Sequence, residues 1–416
     1  MVKALHLSNR STVFLCVWVF GVAKRCIRSL IVALRVFLCD PYGRRTARRK
    51  LRTIPRDGDK IRSKQPVGVA TVKWVLPVAG FWCSLPMQDS SPVFITGANG
   101  FVGSHLARAL TGAGYQVRAL IRKGADRSRV SDLPLEWIEG DLNDREALAR
   151  GCHGARWVFH VAGRIKAPDL AAYRVANVEG TINLLDETEK SDPAIERFVY
   201  VSSLAAGGPA RNGHPRDESD PDSPTTPYGK SKLEGEIAVR ERASRLPVTV
   251  LRPPAVYGPG DTEVLGFFQA VNWHIKPLFK VPPVRLSLVH VSDLIDGIML
   301  AVSSPGAIGE VFYIAEDRDY DLPSVEDMIQ DALETWAVRV RIPGPLLLSI
   351  AGIAEWTGKI GGFTPKLNRH KARDFMQNDW TCSISKAESR LGYRSQIPFA
   401  DGARQTVQWY RANGWL

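Results

Sequence analysis

The sequence predicts an α/β protein, a doubly wound parallel sheet followed by a smaller C-terminal lobe. Two observations carry that prediction. From Met87 onward, apolar runs of strand length alternate with stretches of helical period. A glycine-rich segment, Thr96-Gly97-Ala98-Asn99-Gly100-Phe101-Val102-Gly103, follows the first run directly and leads into the first helical stretch.

Taken in order, the strand-like runs are Val93–Thr96, Gln116–Ile121, Leu135–Glu139, Trp157–Val161, Phe198–Ser202 and Val248–Leu251. Ser104–Thr111 and Val178–Glu189 have helical spacing, and right-handed crossovers would put such helices on both faces of the sheet. After Pro253 the alternation weakens into Pro-, Trp- and Arg-rich loops mixed with strands, which reads as a lobe over the end of the sheet. The expected division is 87–260 for the sheet domain, completed by segments near 286–315, with 261–416 mainly lobe and C-terminal helices. Trp273, His274, Phe279 and Trp336 are expected in the lobe's core rather than in a pocket. The apolar stretch Pro345–Ile353 reads as a buried helix, too short to span a bilayer.

The chain has 416 residues and a net charge of +12, with 44% hydrophobic and 24% charged residues, which excludes wholesale disorder. The charge is confined to one end. Residues 1–86 hold 17 Lys and Arg but only Asp40, Asp57 and Asp59, whereas residues 87–416 hold 38 basic and 40 acidic side chains. A basic pI therefore indicates no nucleic-acid partner for the main domain. Apolar runs at 13–23 and 29–39 are each shorter than a membrane span and are broken by Lys24, Arg25 and Arg35, so they give no firm membrane signal. The extension is read as unstructured or not native, with translation starting at Met87; a targeting peptide or a basic lipid-binding arm are the other readings. Only Cys152 and Cys382 lie beyond residue 86, without a CxxC pair. That pattern suits a reducing, cytoplasmic compartment and offers no metal site.

The glycines of 96–103 allow a tight turn and a close backbone approach to a diphosphate, with a helix opening at Ser104 facing negative charge: a Rossmann-type nucleotide site. An acid ending the second strand would accept from the ribose 2′-OH of NAD; here Ile121 runs into Arg122-Lys123. A guanidinium there suits the 2′-phosphate of NADP, with NAD also open and a solvated basic turn as the bland reading. Tyr228 and Lys232 stand four apart on one helix face, where a cation would favour the phenolate and let the tyrosine exchange a proton near neutral pH. Upstream, Ser202-Ser203 ends a strand with two hydroxyls aimed at the same edge.

On these motifs, with Gly140-Asp141-Leu142, His160-Val-Ala-Gly163, Asn177-Val-Glu-Gly180, Leu251-Arg-Pro-Pro-Ala-Val-Tyr-Gly-Pro259 and Val289-His-Val-Ser-Asp293, the chain resembles the extended short-chain dehydrogenase/reductase (NAD-dependent epimerase/dehydratase) family. The resemblance runs from about Val93 to the C-terminus. It implies Asp141 and Leu142 near the adenine and Ala162 and Gly163 near the nicotinamide ribose. It further implies Pro254 and Val256 beside the nicotinamide, and Ser203, Tyr228 and Lys232 as the catalytic group. Asn177 would support a strand, while Asp141 as a helix cap and His160 as a packed strand residue are the bland alternatives. Nucleotide-sugar enzymes of the family show Arg-Tyr-Phe-Asn where this chain has Arg252-Pro253-Pro254-Ala255, so the motifs look more like the 3β-hydroxysteroid dehydrogenase and dihydroflavonol reductase branch. The implied activity is hydride transfer between a nicotinamide and a secondary alcohol or ketone of an apolar small molecule. Alternatives are nucleotide-sugar epimerisation or dehydration, and a non-catalytic NADP-binding regulator. The helix carrying Tyr228 is expected to pair in a homodimer through Ile237 and Val239.

Overall fold

Val93-Phe94-Ile95-Thr96 does not alternate between apolar and polar, so this strand needs cover on both faces. All four residues are fully buried. The structure, a computed structural model, describes residues 91–191, 194–211, 213–279, 283–361 and 379–416. The N-terminal extension and its alternative readings lie outside the described residues.

Among these, β1 (Val93–Thr96) leads into α1 (Phe101–Gly112), β2 (Val117–Ile121), β3 (Glu136–Glu139), α2 (Arg145–Cys152) and β4 (Trp157–His160). There follow α3 (Leu170–Arg174), a π-turn (Val175–Glu179), α4 (Gly180–Glu189), β5 (Arg197–Val201), α5 (Leu204–Gly207), α6 (Pro227–Arg240) and β6 (Val248–Arg252). The second part holds β7 (Ala255–Tyr257), α7 (Leu265–Asn272), β8 (Ile275–Leu278), β9 (Arg285–His290), α8 (Val291–Ser303), β10 (Val311–Tyr313) and β11 (Asp319–Asp321). It ends with α9 (Leu322–Leu333), β12 (Val338–Arg341), α10 (Gly344–Gly361), β13 (Asp379–Trp380), α11 (Ser385–Leu391) and α12 (Phe399–Ala412).

The main sheet is parallel throughout, in the order β10-β6-β5-β4-β1-β2-β3. The chain order reverses between β1 and β4, and ligands of such sheets bind in the crevice beyond the carboxyl ends at that point. β9 joins a smaller sheet with β7, β11 and β13, and β8 pairs with β12. One cluster, including Phe94, Phe198 and Val248, fills one face of the main sheet; a second, including Tyr257, Phe268 and Tyr410, fills the lobe.

Several expectations are corrected. The first helix starts at Phe101, not Ser104, because Gly100 serves as its N-cap residue in extended conformation. The helix expected over 178–189 begins at Gly180, its first two residues belonging to the π-turn. Val239 is fully buried against the sheet, so on α6 only Ile237 of the two residues expected outside is exposed. Trp273 and Trp336 are 40% and 63% exposed, and Trp336 stacks on His274 at 4.2 Å instead of filling a core; Phe279 is buried as expected. Helix α10 is half-covered: Leu347, Ile350, Ala351 and Ala354 face inward while Leu346, Ile353 and Trp356 face out. No helix among the described residues is long and apolar enough to cross a membrane.

Candidate active site

The glycine-rich turn is a cradle because three backbone segments meet there with no side chain between them. Gly97 has φ +81°, and a Cβ on it would lie 2.7 Å from the Ala162 nitrogen; one on Gly103 would lie 2.0 Å from the Gly97 carbonyl oxygen. Any larger residue would collide with this backbone, so glycines at 97 and 103 let the turn, the end of β4 and the first turn of α1 close up. With the start of α1 facing it, the turn fits the diphosphate of a dinucleotide.

Two compartments open from the turn. One, of about 570 Å³, is lined by Gly97, Gly100, Phe101, Val102, Gly103 and Gly163 and by Ser203, Tyr228, Lys232, Pro254 and Val256. The other, of about 490 Å³, is lined by Gly97, Asn99, Gly100, Arg122, Asp141, Leu142, Ala162 and Gly163. Every residue expected from the sequence to be catalytic or to bind the cofactor thus lies on one of two adjoining hollows, at the carboxyl ends of β1 and β4. In the second, Asn99 Nδ2 donates to the Asp126 carbonyl at 3.1 Å, tying the glycine turn to the loop after β2. Asp141 does not cap a helix, as Asp144 holds that place on α2; its carboxylate accepts from the Asn143 nitrogen at 2.7 Å.

Thr226 caps α6 through the Gly229 nitrogen at 3.0 Å, with Pro227 pre-set for the first turn. This puts Tyr228 at the helix mouth, half-buried, and Lys232 one turn further in, 3% exposed. Gly235 lets α6 lie against the π-turn, since a Cβ there would come within 2.3 Å of the Asn177 carbonyl oxygen. Burial pushes the Tyr228 phenol up to about 12, while the Ser203 hydroxyl beside it acts in the opposite direction. The expected cation effect on the phenol is not what this geometry provides. Lys232 Nζ donates to the Val201 carbonyl at 2.8 Å and lies 4.1 Å over the Tyr200 ring, and burial brings its pKa down to about 7.

The two serines have different partners. Ser203 faces Tyr228, whereas the Ser202 hydroxyl donates to Glu236 Oε2 at 3.0 Å. Asn177 supports no strand: from the π-turn its side chain accepts from the Arg164 nitrogen at 2.7 Å and donates to Ser231 Oγ at 2.9 Å. It thereby joins the loop after β4 to α6. His160 is a packed strand residue, fully buried between Thr96 at 2.8 Å and Thr181 at 2.9 Å, and burial drops its pKa to about 3.

Sequence reasoning missed Tyr173, whose ring centroid is 6.0 Å from that of Tyr228, and the ion pair of Lys166 with Glu263 at 2.6 Å on the same compartment's wall. Neither carries a local motif. Among the described residues no cluster of His, Cys, Asp and Glu could hold a metal ion.

A family model described as "NAD dependent epimerase/dehydratase family" matches residues 93–315. A ceramide reductase of Caulobacter vibrioides is 34% identical over 78% of this chain and 96% of its own length. A UDP-glucose 4-epimerase of Vibrio cholerae is 26% identical over 78% of this chain and 97% of its own. The crystal structure of gox2253 superposes with a TM-score of 0.65 at 30% identity, covering 78% of this chain and 99% of that one.

Proposed function

The chain belongs to the NAD dependent epimerase/dehydratase family, and from that membership we propose that it is an NADP-preferring reductase acting on a ketone of a mostly apolar small molecule, with the reverse oxidation as its counterpart. The observation that carries this reading is the meeting of Ser203, Tyr228 and Lys232 in the compartment that opens from the glycine turn.

A bound nicotinamide supplies the hydride to the carbonyl carbon. The residues of the chain supply the rest. Ser203 holds the carbonyl oxygen against the Tyr228 hydroxyl, and Tyr228 gives its proton to that oxygen. Burial holds the phenol in its protonated form at neutral pH, the form that can give a proton to a carbonyl oxygen. In this reading Lys232, held one turn further in by the Val201 carbonyl, would hold the nicotinamide ribose beside the phenol rather than lower the phenol's pKa. In the neighbouring compartment Arg122, exposed at the end of β2, would pair with a 2′-phosphate.

Apolar wall residues Phe101, Ile165, Pro254 and Val264 support an apolar substrate, and so does the relative named for ceramide reduction. At the position where nucleotide-sugar enzymes carry an asparagine, Ala255 has no group to grip a nucleotide diphosphate. The epimerase relative keeps sugar epimerisation as the second reading. Exposed Ile237 on α6 supports a homodimer. The test is a panel of apolar ketones and nucleotide sugars with NADPH and NADH. Net oxidation of NADPH by a ketone is expected; sugar conversion without net cofactor turnover would support the epimerase instead.

A further inference from the structure

Behind the candidate catalytic group lies a buried ion pair that the mechanism above does not use. Glu236, 0% exposed, stands on α6 one turn past Lys232, so Tyr228, Lys232 and Glu236 share one helix face at spacings of four. Arg252, 2% exposed, ends β6 just before Pro253 and Pro254. Its guanidinium clasps the carboxylate with two bonds, Nη2 to Oε1 at 2.6 Å and Nε to Oε2 at 2.9 Å. The same carboxylate accepts the Ser202 hydroxyl, and Ser202 and Leu204, on either side of Ser203, donate their backbone nitrogens to Leu251 and Pro253 at 2.7 and 2.8 Å.

Three segments that wall the site therefore converge on Glu236: the helix with Tyr228 and Lys232, the strand end with Ser203, and the Pro-Pro loop. Burying both charges is costly, and a well-packed apolar pair of similar volume would serve stability as well or better. A purely structural role does not account for the choice of residues.

We propose that the Glu236–Arg252 pair is a positioning unit that locks the Ser203 strand end to the Tyr228 helix and keeps an anion one turn behind the Lys232 ammonium. This rests on the catalytic reading of Ser203, Tyr228 and Lys232. Both groups have further charged or titratable neighbours. Glu236 meets Arg240 of its own helix at 3.9 Å, and Arg252 meets Asp222 at 2.8 Å and the Tyr313 hydroxyl on β10 at 3.1 Å, with Arg216 close to that hydroxyl. Lys232 meets Tyr200 on β5, behind which stands His160 on β4. Of these, Glu236 is the anion that raises the lysine's proton affinity against the burial that lowers it.

The test needs no substrate. Trace labelling of the full chain with acetic anhydride across pH, read by mass spectrometry of the Lys232 peptide, reports where that amine loses its proton. With Glu236→Gln the midpoint is expected to fall by about one pH unit, and with Glu236→Asp to stay near that of the parent. Should Glu236→Gln fail to fold, the midpoint is read in Glu236→Gln/Arg252→Gln, which leaves no lone buried charge and is expected to lie lower than the parent by a smaller amount. A role in stability alone would lower the melting temperature and leave the midpoint in place, which would overturn the proposal. Once a substrate is known, Glu236→Gln is expected to lower kcat about tenfold with KM little changed. Absence of any reductase activity would refute the functional reading but leave the labelling result standing.

Discussion

Tyr228 and Lys232 pull in opposite directions under one physical cause: burial raises the phenol's pKa and lowers the ammonium's, each toward its neutral form. Arg122 stands exposed at the rim of the second compartment. Arg122→Asp is therefore expected to weaken NADPH at least about tenfold while changing NADH little, by replacing a phosphate partner with a repelling charge. Titration of both cofactors by fluorescence checks this, and equal losses would remove Arg122 from the 2′-phosphate. The residues of the site that were legible in the sequence are those with short-range patterns: glycines three apart, a tyrosine and lysine four apart, a serine pair ending a strand. Lys166–Glu263, 97 positions apart, and Arg252–Glu236, 16 apart across two elements, were not, because the fold alone brings them together.

At the scale of elements, apolar runs identified the six strands from β1 to β6 to within one residue at either end; β1, β4, β5 and β6 are buried along nearly their whole length, and a sheet covered on both faces leaves little room there for polar alternation. The lobe was less legible. Its helices are covered on one side only, so apolar content alone misassigned α10 and Trp336 as buried. On the covered side of helix α9 burial itself is costly. Glu326 is fully buried there with Arg339 no nearer than 4.0 Å and neither carboxylate oxygen hydrogen-bonded, and burial raises its pKa to about 8 from 4.5. Between those values the folded chain holds a proton that the unfolded chain releases. The stability this group contributes is thus present below about pH 4.5 and lost as pH rises through about 8. Glu326→Gln should melt close to the parent at pH 5 and a few degrees above it at pH 8, the gap then levelling off. A gap independent of pH in thermal melts would show that Glu326 stays ionised in the fold.

At the scale of the whole molecule, strand, turn and helix of the nucleotide cradle are complete from Val93 to Gly112, and the sheet closes with β10 at Tyr313. A chain starting at Met87 is accordingly expected to bind NADPH with an affinity within about twofold of the full chain; loss of binding would give the basic extension a part in the site. Tyr228 is expected to protonate a carbonyl as hydride arrives from a bound nicotinamide. The most direct measurement is transfer of deuterium from NADPH deuterated at both C4 positions to a ketone substrate, read by mass spectrometry of the product, in the parent and in Tyr228→Phe. A deuterated alcohol is expected from the parent, and a loss of at least about a thousandfold in rate in Tyr228→Phe with NADPH affinity retained. Turnover by Tyr228→Phe within tenfold of the parent, or conversion by the parent without label in the product, would contradict this expectation.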